Sequence, residues 1–270
     1  MTIIVYLNEV KMRRLLMGCL IGSLVFGNAY ADISSEAISA TTEILNKSYD
    51  SYNSRFNCWL TTSGQFDQTY CMKPVSMKRA KTEDGEIIFL LATGGAINPD
   101  TGEDDPMHAS GGLVGMFNYK VTSSGYKMIA MLSHEEMGSW STPPSIEDGS
   151  AKFLQIGPTR WGWLFETGYT NQGYTDVGAT IYSVEDHAIK PILTIATGHS
   201  DEGAFGKTDI VGEISVDAAG NSGYSSQSEY FPINVTVSGK LNGRKVQKKK
   251  YTFRYDENKR KYIPPKGYPI

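Results

Sequence analysis

Residues 233–255 read INVTVSGKLNGRKVQKKKYTFRY, and this stretch decides the fold class. Near both of its ends an apolar side chain stands at every second position, which is the period of a β-strand with one buried face. Asn242 and Gly243 between the two halves are typical of a type I′ turn, because both residues tolerate a positive φ. The stretch therefore predicts an antiparallel hairpin, and the polar turn at 256–258 predicts a third strand after it.

The segment upstream of this hairpin carries the same signals. From Glu86 onward, short apolar runs are separated by Gly, Asn, Asp, Ser and Pro, which is the pattern of an all-β sandwich. Six runs predict strands: EIIFLLATGG (86–95), GGLVGMFNYKV (111–121), YKMIAMLS (126–133), RWGWLFET (160–167), VGATIYSV (177–184) and KPILTIATG (190–198). Residues 115–129 and 178–192 align without gaps and predict two similar hairpins. We therefore expect a mainly β protein, an antiparallel sandwich or barrel-like single domain built of hairpins.

The first residues of the chain have the features of an export signal. Lys11, Arg13 and Arg14 form a basic region, residues 15–27 are largely apolar, and small residues precede a cleavage site after Ala31. The apolar run is shorter than the roughly 20 residues that a bilayer-spanning helix needs. We expect export to the bacterial periplasm, with the extracellular medium as the alternative, and no transmembrane segment.

The chain then divides into three expected segments. Residues 1–31 are a cleaved signal peptide, residues 32–85 contain a helix and a disulfide-linked segment, and residues 86–270 form the β domain, which packs with 32–85 as one unit. Translation starts at Met1 or at Met12, and the sequence leaves both open. Removal of three basic residues and Glu9 from a chain with 26 basic and 29 acidic residues leaves a net charge of −5. This balance argues against a nucleic-acid partner.

One α-helix is predicted before the β domain. Apolar residues recur at helical spacing over 34–56, and Ser34 or Ser35 can cap the N-terminus. Cys58 and Cys71 are the two cysteines that remain after cleavage, and an even number in an exported chain predicts a disulfide. We expect this disulfide to tie the end of the helix to the segment that leads into the first strand.

The catalytic and cofactor motifs of common enzymes are missing from the sequence. It contains no Gly-x-Ser-x-Gly nucleophile motif, and HEEMG at His134 lacks the second His of a zinc-protease helix. GAFGKT (203–208) resembles a phosphate-binding loop, but Asp201 stands where that loop needs its first Gly. We expect no cofactor. A hydrolase with an unrecognised site around His108, His134 or His199 is kept as an alternative.

Two groups of side chains are weak candidates for a metal site. NPDTGEDD (98–105) offers carboxylates of the kind that Ca²⁺ prefers, but without the spacing of a Ca²⁺ loop. His134 and His199 each follow the second strand of one of the two similar hairpins, so that they could converge on Zn²⁺. We expect neither group to hold a metal. The weak candidates are Asp100, Glu103, Asp104, Asp105, His134 and His199.

An aromatic-rich stretch provides the candidate contact residues. In GPTRWGWLFETGYTNQGYT (157–175), Trp161, Trp163 and Phe165 alternate onto one strand face, as core residues do. The Gly-Tyr-Thr-Asn-Gln-Gly-Tyr segment at its end predicts a contact loop, because Tyr offers rigid amphipathic surface. The predicted contact residues are Arg160, Tyr169, Asn171, Gln172 and Tyr174.

The function that we expect is binding rather than catalysis. Its partner is a protein, a glycan or another envelope component, and an inhibitor or immunity-type protein fits the size, the compartment and the missing motifs. A structural envelope protein is a further alternative. The basic residues of 240–261 are expected to lie on the outward face and edge of the last hairpin, where Lys discourages edge-to-edge pairing, or to contact an anionic partner.

Overall fold

The computed structural model describes residues 34–63, 67–107, 110–218 and 228–270. Over these residues the chain forms one helix and fourteen strands in two sheets, and within each sheet the strands that follow one another in sequence pair antiparallel. The predicted signal peptide at 1–31 and His108 lie outside the described residues.

Helix α1 (Ser35–Ser48) begins where the sequence predicts. The Ser34 hydroxyl accepts a hydrogen bond from the backbone N–H of Ala37, which satisfies one of the donors at the helix start. The helix ends at Ser48 rather than near residue 56, so the predicted length is wrong. The physical reason is tertiary: Tyr49 is extended and buried, and the residues after it pair with a neighbouring strand instead of continuing the helix.

The first sheet contains six strands in sequence order. They are β1 (Ser51–Asn53), β2 (Cys58–Ser63), β3 (Gln68–Thr82), β4 (Gly85–Gly94), β5 (Gly112–Thr122) and β6 (Gly125–Met137). One face of this sheet is covered by α1, whose Ile44 and Leu45 pack in one core with Tyr70, Phe117 and Tyr119. The sheet therefore begins well before Glu86, the position from which the sequence predicts strands.

The disulfide between Cys58 and Cys71 is confirmed, but it does not hold the end of the helix. It joins β2 to β3, with the two Cα atoms 5.4 Å apart. The two strands are also paired through their backbones, with Leu60 opposite Cys71. The expectation that the bond ties the helix to the first strand is therefore wrong, because α1 ends ten residues before Cys58.

The second sheet contains eight strands, again in sequence order. They are β7 (Ala151–Gln155), β8 (Trp161–Asn171), β9 (Tyr174–Glu185), β10 (Ala188–Ser200), β11 (Asp209–Val216), β12 (Ile233–Leu241), β13 (Arg244–Asp256) and β14 (Lys261–Ile263). The six strands and the C-terminal hairpin predicted from sequence are confirmed. Asn242 and Gly243 have φ values of 50° and 78°, as a type I′ turn requires.

The two sheets pack face to face as a sandwich. Phe89, Leu91 and Met116 of the first sheet share a core with Trp163 and Phe165 of the second. Because the first sheet is covered on one face by α1 and on the other by the second sheet, β4 is buried along most of its length instead of at alternate positions. The predicted mainly β antiparallel fold with one N-terminal helix is confirmed.

The other face of the second sheet has a core of its own. Ile233, Val235 and Phe253 are fully buried there. The ring of Tyr268, near the C-terminus, packs edge-on against Phe253 at 5.0 Å between ring centroids. Ile33–Ile270 clusters as one compact unit. Within the described residues, no helix has the length and apolar character needed to cross a lipid bilayer.

Candidate functional site

The predicted contact residues lie at opposite ends of one strand. Arg160 precedes β8, whereas Tyr169 and Asn171 lie at its far end, about 30 Å away at the rise of an extended strand. Arg160 donates to the carboxylate of Glu229, and its guanidinium lies 5.7 Å from the ring centroid of Tyr230. The structure therefore separates Arg160 from the other four predicted residues.

Those four residues form the tip of the β8–β9 hairpin instead of a loop. Asn171 pairs with Tyr174 in the ladder, and only Gln172 and Gly173 form the turn, with φ values of 50° and 85°. The prediction of a loop is wrong, because these two residues satisfy a type I′ turn and the flanking Tyr residues stay paired. Tyr169 and Tyr174 are 44% and 36% exposed. The strand ladder thus fixes the backbone from which both rings project.

A second segment, residues 201–208, lies beside this tip and is organised by one carboxylate. Oδ1 of Asp201 accepts hydrogen bonds from the backbone N–H groups of Thr208 at 2.6 Å and Lys207 at 2.7 Å. These bonds, led by the one from Thr208, hold the pKa of Asp201 below its ordinary value. The backbone N–H groups of Phe205 and Gly206 donate to the carbonyl oxygen of Asp201. The segment is therefore a closed, hydrogen-bonded turn.

This turn places a third aromatic ring beside the hairpin tip. Phe205 is 67% exposed. Its ring centroid lies 6.1 Å from that of Tyr174, which also stacks on His199 at 6.4 Å. We call Tyr169, Tyr174, His199 and Phe205 the aromatic end.

A cross-strand row connects the members of the aromatic end. Tyr169 is the ladder partner of Asp176, and Asp176 is the ladder partner of His199, so the three side chains share one face of the sheet. Nδ1 of His199 lies 2.7 Å from the carboxylate of Asp176. The carboxylate of Asp176 therefore orients the ring of His199, which stacks on the ring of Tyr174.

The last hairpin supports the aromatic end and supplies positive charge around it. The backbone N–H of Gly243 donates to the carbonyl oxygen of Lys207 at 2.7 Å, and the ammonium of Lys240 donates to the carbonyl oxygen of Gly206. Farther along the basic run, Lys248 pairs with Glu213 at 3.7 Å. Most of the Lys and Arg side chains of β13 are exposed.

His134, the other His predicted as a weak metal candidate, does not join this site. His134 lies on β6 in the first sheet, where Nδ1 is 2.7 Å from the Ser133 hydroxyl and Nε2 is 3.1 Å from the Thr61 hydroxyl. Burial lowers the pKa of His134. His199 lies in the second sheet and has Asp176 as its partner.

The acidic segment at 98–105 forms an exposed turn. Its carboxylate side chains at Asp100, Glu103, Asp104 and Asp105 all face solvent. The turn is held by Asn98, whose side-chain oxygen accepts from the backbone N–H of Asp100 at 2.9 Å. Over the residues that the structure describes, no three His, Cys, Asp or Glu side chains come together as a metal-binding group.

Sequence reasoning missed Phe205 and the turn that presents it. GAFGKT was considered only as a phosphate-binding loop, and Asp201 counted against that interpretation. The same Asp was the useful signal, because a short acidic side chain before a Gly-rich segment often accepts hydrogen bonds from nearby backbone N–H groups. Its closeness to Tyr174 could not be read from the sequence, since the two segments meet only in the folded sheet.

No protein-family model, no curated protein and no solved structure matches this chain.

Proposed function

We propose that this protein is an exported, non-enzymatic binding protein of the cell envelope that contacts a partner protein through its aromatic end. The observation that carries the proposal is the convergence of three exposed aromatic side chains, Tyr169, Tyr174 and Phe205, from two backbone segments. An inhibitor or immunity-type protein, which blocks an enzyme that attacks the envelope, is one form that this function takes.

The chemistry of the aromatic end favours a protein as the partner. Aromatic side chains dominate the energetics of protein interfaces, where they act as anchors surrounded by polar groups. Here the rings project from a hairpin tip and a closed turn, and Lys207 and Lys240 lie on the adjoining backbone segments. Because the backbone is already ordered by hydrogen bonds, binding costs little conformational entropy.

Two features support export. The first is the predicted signal peptide at residues 1–31. The second is the disulfide between Cys58 and Cys71, since such bonds persist in oxidising compartments and are rare in the cytoplasm. We propose the periplasm as the compartment, with the extracellular medium as the alternative.

One observation favours a second candidate, a hydrolase. The pair formed by His199 and Asp176, 2.7 Å apart, resembles the base and orienting acid of a catalytic triad. Such a triad also needs a nucleophile bonded to the other ring nitrogen, and no hydroxyl or thiol of the described residues donates to Nε2 of His199. Binding is therefore the function that we propose.

Photo-crosslinking from the aromatic end tests the proposal. We expect benzoyl-phenylalanine at position 205, a Phe side chain extended by a benzoyl group, to give a discrete protein adduct in cells. The same group in place of Ile38, an exposed residue on α1, is the control, because α1 covers the face of the first sheet that points away from the second. Equal adducts from both positions, or none from position 205, contradict the proposal.

A double variant separates binding from stability. Replacing Tyr169 and Tyr174 with Ala should abolish the adduct formed from position 205. The free energy of unfolding should change by no more than about 1 kcal/mol, because exposed side chains contribute little to the folded state. Retention of the adduct in this variant would mean that Tyr169 and Tyr174 do not carry the contact.

A further inference from the structure

A concave pocket of about 560 Å³ lies on the helix side of the first sheet, away from the aromatic end. The uncharged side chains that line it come from α1, from the β1–β2 hairpin and from β3; they are Thr42, Asn46, Tyr52, Asn57, Trp59 and Pro74. This volume falls within the range of small-molecule sites in proteins, which combine apolar surface with a few placed polar groups.

The strand register places three ring-bearing side chains on the helix face of the sheet. Tyr52 is the ladder partner of Trp59, and Trp59 is the ladder partner of Met72, which is buried in the core that α1 covers. Pro74 follows two positions after Met72 on β3 and therefore shares this face. The ring centroids of Tyr52 and Trp59 are 4.9 Å apart. Tyr52 is 48% exposed, Trp59 is 9% exposed and Pro74 is exposed, so Tyr52 and Pro74 provide most of the apolar surface.

Two Asn side chains that line the pocket orient the two aromatic rings. Nε1 of Trp59 donates to Oδ1 of Asn46 at 2.7 Å, and the hydroxyl of Tyr52 donates to Oδ1 of Asn57 at 2.7 Å. Because an indole N–H can only donate, the amide oxygen of Asn46 has to face Trp59. The amide NH₂ groups of Asn46 and Asn57 remain without a hydrogen-bond acceptor among the described residues, so both are available to a ligand.

The residues that line the pocket direct no charged side chain into it. Lys73 borders the pocket, but successive side chains of a strand point to opposite faces, so its side chain lies on the other face of β3 from Met72 and Pro74. On that face Lys73 lines a different cavity together with Asp104. A charged ligand would lose hydration on entering the pocket and would gain no ion pair there. The pocket therefore favours a neutral ligand.

The hydrogen-bonding groups of the pocket point to a ligand with several hydroxyl groups. The NH₂ groups of Asn46 and Asn57 donate, so the ligand has to supply acceptor oxygens. The hydroxyl of Thr42 donates to the carbonyl oxygen of Ile38 at 3.1 Å, so that its own oxygen is left to accept. A hydroxyl group both donates and accepts and meets the two requirements. A sugar ring combines several hydroxyl groups with an apolar C–H face that packs on an aromatic ring such as that of Tyr52.

We propose that this pocket binds a neutral sugar, a pyranose ring without a charged substituent. The apolar face of the ring packs on Tyr52 and Pro74. Sugar oxygens accept hydrogen bonds from the NH₂ groups of Asn46 and Asn57, and one sugar hydroxyl donates to the oxygen of Thr42. The site is independent of the aromatic end and of the partner proposed for it.

Titrations with small molecules test the proposal on the purified protein. Glucose and N-acetylglucosamine are the neutral sugars. Glucuronic acid is glucose with a carboxylate in place of the primary alcohol, and cyclohexanol is a ring of the same size with a single hydroxyl. The readout is the indole N–H signal of Trp59 in a two-dimensional NMR spectrum, assigned among the four Trp signals by its loss in Trp59→Phe.

We expect at least one of the neutral sugars to shift the Trp59 signal at about 10 mM or less. Glucuronic acid should bind no more tightly than glucose, because no cation of the described residues faces the pocket. Cyclohexanol should bind roughly tenfold more weakly than the better sugar, because it offers fewer oxygens to the amide groups. If neither neutral sugar shifts the signal, if cyclohexanol binds as tightly as the better sugar, or if glucuronic acid binds more tightly than glucose, the proposal is wrong.

Two variants connect the binding to named residues. Tyr52→Ala removes an exposed ring and should weaken binding of the sugar roughly tenfold or more. Asn57→Gly removes one amide donor and should weaken binding roughly tenfold. The backbone tolerates this change, because Asn57 has a φ of 52° and Gly adopts a positive φ without strain. The indole signals of the other Trp residues should stay in place in both variants, which shows that the fold is intact.

Asn242→Gly is the matched control for the second variant. Asn242 has a φ of 50° in the turn between β12 and β13 and lies outside the pocket. This variant should bind the sugar as the natural protein does. Unchanged binding in Tyr52→Ala or in Asn57→Gly, or a loss in Asn242→Gly equal to that in Asn57→Gly, contradicts the proposed contacts and with them the proposal.

Discussion

The backbones of Gly173 and Gly203 are in direct contact. A Cβ atom built on Gly173 lies 2.5 Å from the carbonyl carbon of Gly203, and one built on Gly203 lies 2.7 Å from the Cα atom of Gly173. No side chain fits between them. The tip of the β8–β9 hairpin and the turn at 201–208 therefore approach closely enough for Tyr174 and Phe205 to form one surface.

Gly203→Ala should disturb the aromatic end. The added methyl group meets backbone atoms that cannot rotate away, so the turn that carries Phe205 has to move. We expect the free energy of unfolding to fall by about 1–3 kcal/mol, as for other overpacked sites, and crosslinking from position 205 to weaken. Chemical denaturation measures the change in the free energy of unfolding.

Gly178→Ala on β9 is the matched control for this substitution. A Cβ atom there has its nearest neighbour, the carbonyl oxygen of Ile195, at 3.5 Å, which is an ordinary contact. The stability of this variant should stay within about 1 kcal/mol of the natural protein. An equal loss in both variants would show that the contact between Gly173 and Gly203 has no special role.

Trp163 and Trp161 should differ in their contributions to stability. Trp163 is 2% exposed, so Trp163→Ala should cost about 3–5 kcal/mol through lost burial and a cavity. Trp161 is only partly buried, and its indole N–H donates to the carbonyl oxygen of Lys81 at 3.2 Å. Trp161→Ala should therefore cost less. Denaturant unfolding of both variants provides the comparison.

A conservative variant tests why Trp163 is stabilising. Its buried Nε1 has no hydrogen-bond partner among the described residues, so the indole N–H adds no stabilising bond to the folded state. Trp163→Phe should therefore cost only about 1–2 kcal/mol, from lost ring volume. A cost as large as that of Trp163→Ala would contradict this explanation.

The stability of the protein should depend on pH through Asp201. Its folded-state pKa lies below the ordinary value, chiefly because of the backbone N–H of Thr208, so the charged form stabilises the fold. This contribution is complete above the unfolded-state pKa of about 4 and is lost as the pH falls through the folded-state pKa. Asp201→Asn should thus lower the melting temperature at pH 7 and show no deficit once the natural carboxyl is protonated.

Asp84→Asn is the control for the change in net charge, since Asp84 is exposed in the turn between β3 and β4. Its melting temperature should follow that of the natural protein across the pH range. A deficit of Asp201→Asn that persists unchanged at pH 2–3 would mean that the carboxylate charge is unimportant there.

Removing the disulfide should weaken the fold without abolishing it. Cys58→Ser combined with Cys71→Ser frees a short closed loop in the unfolded chain, which costs about 3 kcal/mol in the chain-entropy model. The fold should survive, because β2 and β3 are also joined by backbone pairing. The melting temperatures of the natural protein with and without a reducing agent, and of the double variant, give the measurement. Free thiols at Cys58 and Cys71 in protein isolated from the periplasm would contradict the disulfide.

Local patterns account for the parts of the fold that the sequence predicted correctly. The alternation in β12 and the dipeptide Asn242 and Gly243 specify their hairpin within one short stretch, and the Ser34 cap marks the start of α1 in the same way. The C-terminal end of α1 was not predictable, since it depends on the burial of Tyr49 against a sheet that is distant in sequence.

The strands β1, β2, β3, β7 and β11 were missed for a related reason. β3 is largely exposed over its second half and carries several basic residues, so it lacks the apolar alternation that identifies a strand. It is a strand because β2 and β4 pair with it on both sides. Such pairing is a property of the assembled sheet.

The candidate sites were also predicted only in part. The sequence predicted Tyr169 and Tyr174 as contact residues from composition, but it grouped them with Arg160 at the other end of β8 and did not include Phe205 beside Tyr174. The pocket that Asn46 on α1 forms with Tyr52 and Trp59 was missed as well, because Asn46 approaches these rings only when the helix packs on the sheet.

The sequence by itself determined the β class, the C-terminal hairpin, the helix start and the pairing of Cys58 with Cys71, because each follows from period, turn chemistry or parity within the chain. Tertiary structure decided where α1 ends and which residues of the first sheet pack against Trp163 and Phe165 of the second. It also decided which aromatic rings come together beside the contact between Gly173 and Gly203. The physical reason is that these features depend on contacts between segments far apart in sequence, whose closeness is set by packing and not by local conformational preference.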